Sequence, residues 1–241
     1  MAVRIGWFRH VVAQVSKTWG GTRKGAGRPL RAGRRKVPHC TRGAHNGRYP
    51  VLITWRSVWG MLRTQYVLPV ILKAIAKTNR ARNKEFRICQ FSVQGNHIHV
   101  LAEADSAKAL ERGARSLAIR IAKSVNQIIF HRGRFFADRY HVLELRTARA
   151  VRNALVYVLA NFRKHQQRGP REVIDVYSSA PYFRGFAEFD GCPYEREPRL
   201  FPRSLGPPAD WPIEAPRTWL LSRGWLECGR ISVHEAPAGA R

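Results

Sequence analysis

The alternation of apolar and polar positions divides the chain into three stretches. Residues 17 to 48 are rich in Gly, Arg and Lys and nearly empty of large aliphatics. Such a stretch cannot bury enough apolar surface to order itself, so residues 1 to 48 are expected to form a basic, largely flexible arm. From residue 49 the spacing becomes that of a folded domain. YPVLITWR predicts a strand from its β-branched and aromatic residues. Residues 67 to 82 place Val67, Val70, Ile71, Ala74 and Ile75 on one helical face, with Pro69 tolerated in the first turn. FRICQFSV and HIHVLAEA predict a pair of strands joined through Gln94, Gly95 and Asn96, residue types that favour tight turns. A long amphipathic helix capped by Asp105 or Ser106 then runs to Phe130, carrying Leu110, Ala114, Leu117, Ile121, Val125 and Ile128 on its buried face. His131-Arg132-Gly133-Arg134 breaks it. RYHVLELR predicts a fourth strand, and Thr147 caps a last helix over residues 148 to 165.

The resulting order, β-α-β-β-α-β-α, is that of an α+β domain over residues 49–166. It predicts a ferredoxin-like (split βαβ) antiparallel sheet with helices on one face and an extra C-terminal helix. Beyond Gly169-Pro170 periodic segments are few, and most of the 14 prolines lie there. Residues 167–241 are therefore expected to be an irregular Pro-rich extension. Its aromatics, among them Tyr177, Phe183, Trp219 and Trp225, are too many for a free tail and should drape over the domain or over DNA. Only RTWLLSRGWLECGRIS reads as helical or compact.

Charge turns this outline toward a partner. Lys and Arg total 43 against 16 acidic residues, a formal net charge of +27. That is far beyond what solubility needs and implies a polyanion, of which nucleic acid is the commonest. No run approaches the ~18 apolar residues of a membrane span. The N-terminus lacks the uninterrupted apolar core of a signal peptide, so a cytoplasmic protein is expected. Cys40, Cys89, Cys192 and Cys228 lie far apart with no C-x-x-C pair and read as reduced thiols. Arg28, in Gly27-Arg28-Pro29, is placed to follow a minor groove or a phosphate track. Arg112, Arg115 and Arg120 on the long helix, and Arg139 at the start of the fourth strand, are further candidate phosphate contacts.

Candidate chemistry gathers in two places. His97 and His99, one residue apart on a strand, project from the same face and can share one metal ion. On that spacing alone, two half-buried or surface histidines describe the pair better than a metal site. Glu103 has the same strand parity and is a candidate to orient a ligand from behind. On the last helix Val151, Leu155, Val158 and Phe162 form a buried stripe, while Asn153, Tyr157 and Asn161 follow one another at i+4 along a neighbouring polar stripe. A tyrosine beside amides can attack a phosphodiester where a divalent cation polarises the phosphate. Asn161 offers a carbonyl oxygen to complete the ligand set, and Asn153 stands one turn before the tyrosine as support. Such an N,N,O set suits Mg²⁺ or Mn²⁺, the latter accepting imidazole more readily. The chain has no G-x-S-x-G, no Walker-type loop and too few paired carboxylates for a two-metal nuclease.

The stretch FSVQGNHIHVLAEAD, the long helix, and GRFFADRYHVLELRTARAVRNALVYVLANFRKH together resemble the single-tyrosine HUH transposases of bacterial insertion sequences. The nearest branch is that of the REP-associated tyrosine transposases, and the resemblance spans about residues 48 to 166. It implies that His97, His99 and Asn161 bind the metal and that Tyr157 is the nucleophile, with Tyr140 as the alternative. The implied reaction cleaves and rejoins single-stranded or hairpin DNA through a 5′-phosphotyrosine link, without ATP, in a monomer or homodimer. Relatives often carry Pro after the asparagine; Phe162 stands here instead, so the helix is expected to continue. A non-catalytic or domesticated nucleic-acid-binding protein on the same scaffold is the competing reading, since fold alone does not separate the two.

Overall fold

Along β1 (Val51–Arg56) buried Val51, Ile53 and Trp55 alternate with Leu52, Thr54 and Arg56, so the strand presents one apolar face and one mixed face. It is followed by α1 (Val67–Arg82), β2 (Phe86–Val93), β3 (His97–Ala104), α2 (Ala107–Ile128), β4 (His141–Glu144), α3 (Ala148–Ala160) and a short α4 (Phe162–His165). The computed structural model describes residues 44–82, 84–165, 174–201 and 212–237, all within one compact unit, His39–Arg241. Arg28 and most of the basic arm lie outside the described residues.

The four strands form one sheet in the order β2-β3-β1-β4, and every neighbouring pair is antiparallel. This is the ferredoxin-like arrangement expected from the element order. The β2–β3 hairpin has the bounds read from the sequence, and Ser106 rather than Asp105 caps α2, its hydroxyl accepting from the Ala109 N–H at 3.2 Å. The fourth strand is shorter than RYHVLELR. Tyr140 packs its ring 5.8 Å from Trp55, against the core, before the strand begins.

The two faces of the sheet are closed differently. Val51, Ile53 and Trp55 of β1 and Ile98, Val100 and Ala102 of β3 pack against Ile71 and Ile75 of α1 and Leu117, Ile121 and Val125 of α2. Each of the Val, Leu and Ile side chains among these, fully buried, contributes about 1.5–3 kcal/mol. A bulge at Cys89, between Ile88 and Gln90, lets Ile88 and Phe91 both face this core. The buried Asn79 side chain of α1 stabilises the bulge, accepting from Ile88 N–H at 2.8 Å and donating to Ile88 C=O at 3.1 Å and Pro212 C=O at 2.7 Å.

The last helix crosses to the opposite face. Val151, Leu155 and Leu159 of α3 pack with Leu101 of β3, Cys89, and the tail residues Phe183, Phe186, Leu221, Trp225 and Ile231. The helices thus lie on both faces. The tail also covers the free edge of β2: Val93 N–H donates to Tyr177 C=O, and Ser179 N–H to Phe91 C=O, which removes an edge open to pairing with other chains. RTWLLSRGWLECGRIS contains α5 (Trp219–Ser222) and a 3₁₀ turn at Gly224–Cys228.

Candidate active site

Strand register assembles the site. Pairing puts His99 of β3 opposite Thr54 of β1 on one side and Ser92 of β2 on the other, while Thr54 in turn faces His141 of β4. One row across the sheet therefore carries two imidazoles and two hydroxyls on the α3 side. His97 lies two residues from His99, its ring parallel to that of His99 within 5° and 6.1 Å away. Thr54, His97, His99 and His141, with Arg63, Gln94, Tyr157 and Asn161, line an open cavity of about 650 Å³.

Thr147 starts α3, its hydroxyl accepting from Ala150 N–H at 3.1 Å. The helix then buries Val151, Leu155 and Val158, which turns Tyr157 toward β3. The Tyr157 hydroxyl stands 3.4 Å from His99 Nε2 of the same chain, and the two rings meet edge to face at 4.9 Å. His99 is itself buried, and its other nitrogen, Nδ1, lies 3.0 Å from Thr54 Oγ1. A proton on Nδ1 donated to that hydroxyl leaves the Nε2 lone pair facing the cavity. Burial raises the Tyr157 phenol above the ordinary tyrosine range, and a hydrogen bond with the Asn161 side chain partly offsets this.

Asn161 caps α3 with near-helical backbone angles before α4 resumes, so the helix continues past this position as Phe162 implied, with a break of one residue. Its side chain is 1% exposed, yet its Oδ1 has no hydrogen-bond partner among the described residues. A buried amide oxygen without a donor costs about 1–3 kcal/mol, and a cation is the kind of group that would satisfy it. The donor set fits a hard or borderline divalent ion: two imidazoles and one amide oxygen, with room left for phosphate oxygens. Among the described residues, no group of three or more His, Cys, Asp or Glu could hold a metal by itself.

Other sequence candidates fall elsewhere. Glu103 shares the parity of His97 and His99 but sits at the far end of the strand. There it accepts from Arg87 Nε, from the backbone N–H groups of Arg217 and Thr218, and from the Thr218 hydroxyl at 2.7 Å. It holds the tail and orients neither histidine. Asn153 is exposed and outside the cavity lining. Arg112, Arg115 and Arg120 ride on α2, across the sheet from the histidines; Arg112 pairs with Glu85 at 3.6 Å, and Arg120 Nε donates to Ser116 at 3.4 Å. They do not approach the cavity. Arg139 is exposed two residues before His141. Tyr140, the alternative nucleophile, is turned into the opposite core.

Three lining residues carried no sequence signal of their own. Thr54 and His141 reach the site only through strand pairing. Arg63 reaches it through the tail: its guanidinium forms a two-pronged pair with buried Asp175 at 2.8 and 2.9 Å, donates to Val93 C=O, and lies 4.5 Å over the Tyr177 ring.

No family model matches the chain, and no curated protein does. Among solved structures it is similar to a REP-associated tyrosine transposase bound to a REP hairpin, with 18% identity over 73% of this chain and 91% of that one, at a TM-score of 0.46. No helix among the described residues is long and apolar enough to cross a membrane.

Proposed function

We propose that the cavity is the active site of a metal-dependent, single-tyrosine DNA nuclease and strand-transferase. The observation that carries this reading is the Tyr157 hydroxyl, 3.4 Å from His99 Nε2 at an open cavity lined by His97, His99 and Asn161, whose buried Oδ1 has no partner among the described residues. A tyrosine buried only as packing has no need of a polar, solvent-open pocket on its hydroxyl side.

In this scheme Tyr157 Oη attacks the phosphorus of a phosphodiester, the bond to the 3′ oxygen breaks, and the downstream strand stays on the protein as a 5′-phosphotyrosine. The released 3′ oxygen takes up a proton and leaves as a hydroxyl. Attack by a 3′-hydroxyl of another strand reverses the step and completes transfer. A Mg²⁺ or Mn²⁺ ion held by His97, His99 and Asn161 would polarise the phosphate and stabilise its developing charge. Thr54 fixes the His99 tautomer, and Arg63 supplies a positive charge at the cavity wall, oriented by Asp175. The phenolic proton is released into the cavity, where His141 is the imidazole left unassigned to the ion. The strongly basic chain suits single-stranded or hairpin DNA as substrate.

The test is incubation with single-stranded hairpin DNA, labelled at the 5′ or the 3′ end, with Mn²⁺ or Mg²⁺. The 3′-labelled strand should become covalently attached to the protein and the 5′-labelled fragment should be released. Chelation should abolish both, and Tyr157→Phe should lower adduct formation at least about a thousandfold. Adduct formation by Tyr157→Phe sinks the nucleophile assignment. Metal binding with no cleavage of any DNA tested leaves a binding module.

A further inference from the structure

We infer a second nucleic-acid contact, a groove built by Arg48, Tyr49, Arg217 and Trp219 that takes an unpaired nucleobase and its phosphate; it rests on the strand-transferase reading and extends it. The groove has a volume of about 480 Å³ and lies where the tail crosses the Glu103 end of β3. Three observations converge on it.

The first is how firmly the segment is held. Glu103, 1% exposed, receives the backbone N–H groups of Arg217 and Thr218 at 2.8 to 3.1 Å and the Thr218 hydroxyl at 2.7 Å. A buried carboxylate spent on a surface segment fixes whatever that segment displays. The second is what it displays. The Trp219 indole is 56% exposed, and it lies so close over Gly224 that a Cβ there would stand 2.5 Å from its ring. One edge of the ring is therefore seated on bare backbone while much of its surface faces solvent, a preorganised platform of the kind on which bases stack in single-strand binders. The third is charge. Arg48 and Arg217 are both exposed in the groove lining, and neither guanidinium forms an ion pair among the described residues. An aromatic face beside two such cations matches a base with its phosphate. An acidic peptide would use the cations and leave the indole without a partner.

The groove lies on the same sheet face as the proposed active site, because Glu103 and His99 share strand parity. Four residues of strand separate them, roughly 13 Å at about 3.3 Å per residue. Leu101, midway between them on this face, is buried beneath the α3 cluster, so DNA held in the groove would pass around that cluster to reach the scissile phosphate.

The test measures binding of the full chain carrying Tyr157→Phe to a labelled unstructured oligodeoxynucleotide. Trp219→Ala should weaken binding about tenfold, the effect of losing one base stack, and Trp219→Phe should recover most of it. Arg48→Ala with Arg217→Ala should lower the slope of log affinity against log salt by about 1.4, at about 0.7 per phosphate contact. Parental affinity and slope in both variants overturn the groove. So does a loss in Trp219→Ala that tracks a fall in melting temperature and is not recovered in Trp219→Phe. Displacement of the DNA by polyglutamate, with an affinity that depends on Trp219, points to an acidic protein partner and overturns it too. Because the readout is binding without chemistry, a wild-type chain that forms no adduct leaves this result standing, and a failed groove leaves adduct formation standing.

Discussion

Two acidic or basic side chains on one face of β3 meet opposite fates. At one end His99 faces an open cavity, with one nitrogen on Thr54 and the other toward Tyr157, and Asn161 there has a buried amide oxygen that lacks a donor among the described residues. Four residues on, Glu103 is saturated by Arg87 and by the backbone and hydroxyl of Arg217 and Thr218. Both side chains are almost fully buried. The difference is in what is left over. A polar group whose partners are complete stabilises the fold, whereas one set among incomplete partners has capacity for a substrate or an ion. Burial and strand parity do not separate the two cases; the hydrogen-bond inventory does.

The sharpest way to break this comparison is Glu103→Ala. It leaves Arg87 buried beside a lost carboxylate and two tail N–H groups without an acceptor, so a destabilisation of about 3–5 kcal/mol is expected in denaturant unfolding. Adduct formation at saturating DNA, measured well below the melting point, should stay within about threefold of wild type if this end of the strand only holds the tail. An unchanged unfolding midpoint with lost adduct formation would move Glu103 into the catalytic machinery.

At the histidine end the matching change is Thr54→Val, which keeps the β-branched shape and removes the hydroxyl partner of His99 Nδ1. The fold should barely notice. Mn²⁺ affinity, followed by calorimetry or by the signal of the free ion in electron paramagnetic resonance, should fall about 10- to 100-fold, the usual cost of losing the partner behind a metal-bound imidazole. Wild-type affinity would mean that His99 is oriented by its packing alone.

Much of this comparison could be read from the sequence, and where reading failed the reason is geometric. The hairpin that carries His97 and His99, the Ser106 and Thr147 caps, and the stripe that turns Tyr157 and Asn161 away from Val151 and Leu155 are local patterns, and the structure reproduces them. Parity makes Glu103 a candidate beside His99 but gives a face and no position along it, and the residue sits at the tail end of the strand. Arg112, Arg115 and Arg120 are candidate phosphate contacts by charge, and helical spacing does not say that α2 lies across the sheet from the histidines. Thr54, His141 and Arg63 carry no local signal because their places in the site exist only after strands pair and Asp175, 112 residues from Arg63, folds back.

The finest discrimination comes from the titration of Tyr157. Its phenol is raised in the folded chain, first by burial and against the opposing hydrogen bond from Asn161. A group whose folded-state value lies above its unfolded value, about 10 for tyrosine, contributes stability that is present below the unfolded value and lost as pH climbs through the folded one. The window is therefore alkaline. The stability of the wild-type chain relative to Tyr157→Phe should be constant up to pH ~9 and should fall steadily above pH ~10, while the lysines titrate alike in both and cancel in the difference. Melting curves of the two proteins across that range measure it. A difference that stays flat would mean the hydroxyl is as well solvated as a surface tyrosine, and the desolvated cavity wall on which the histidine end of the comparison depends would have to be given up.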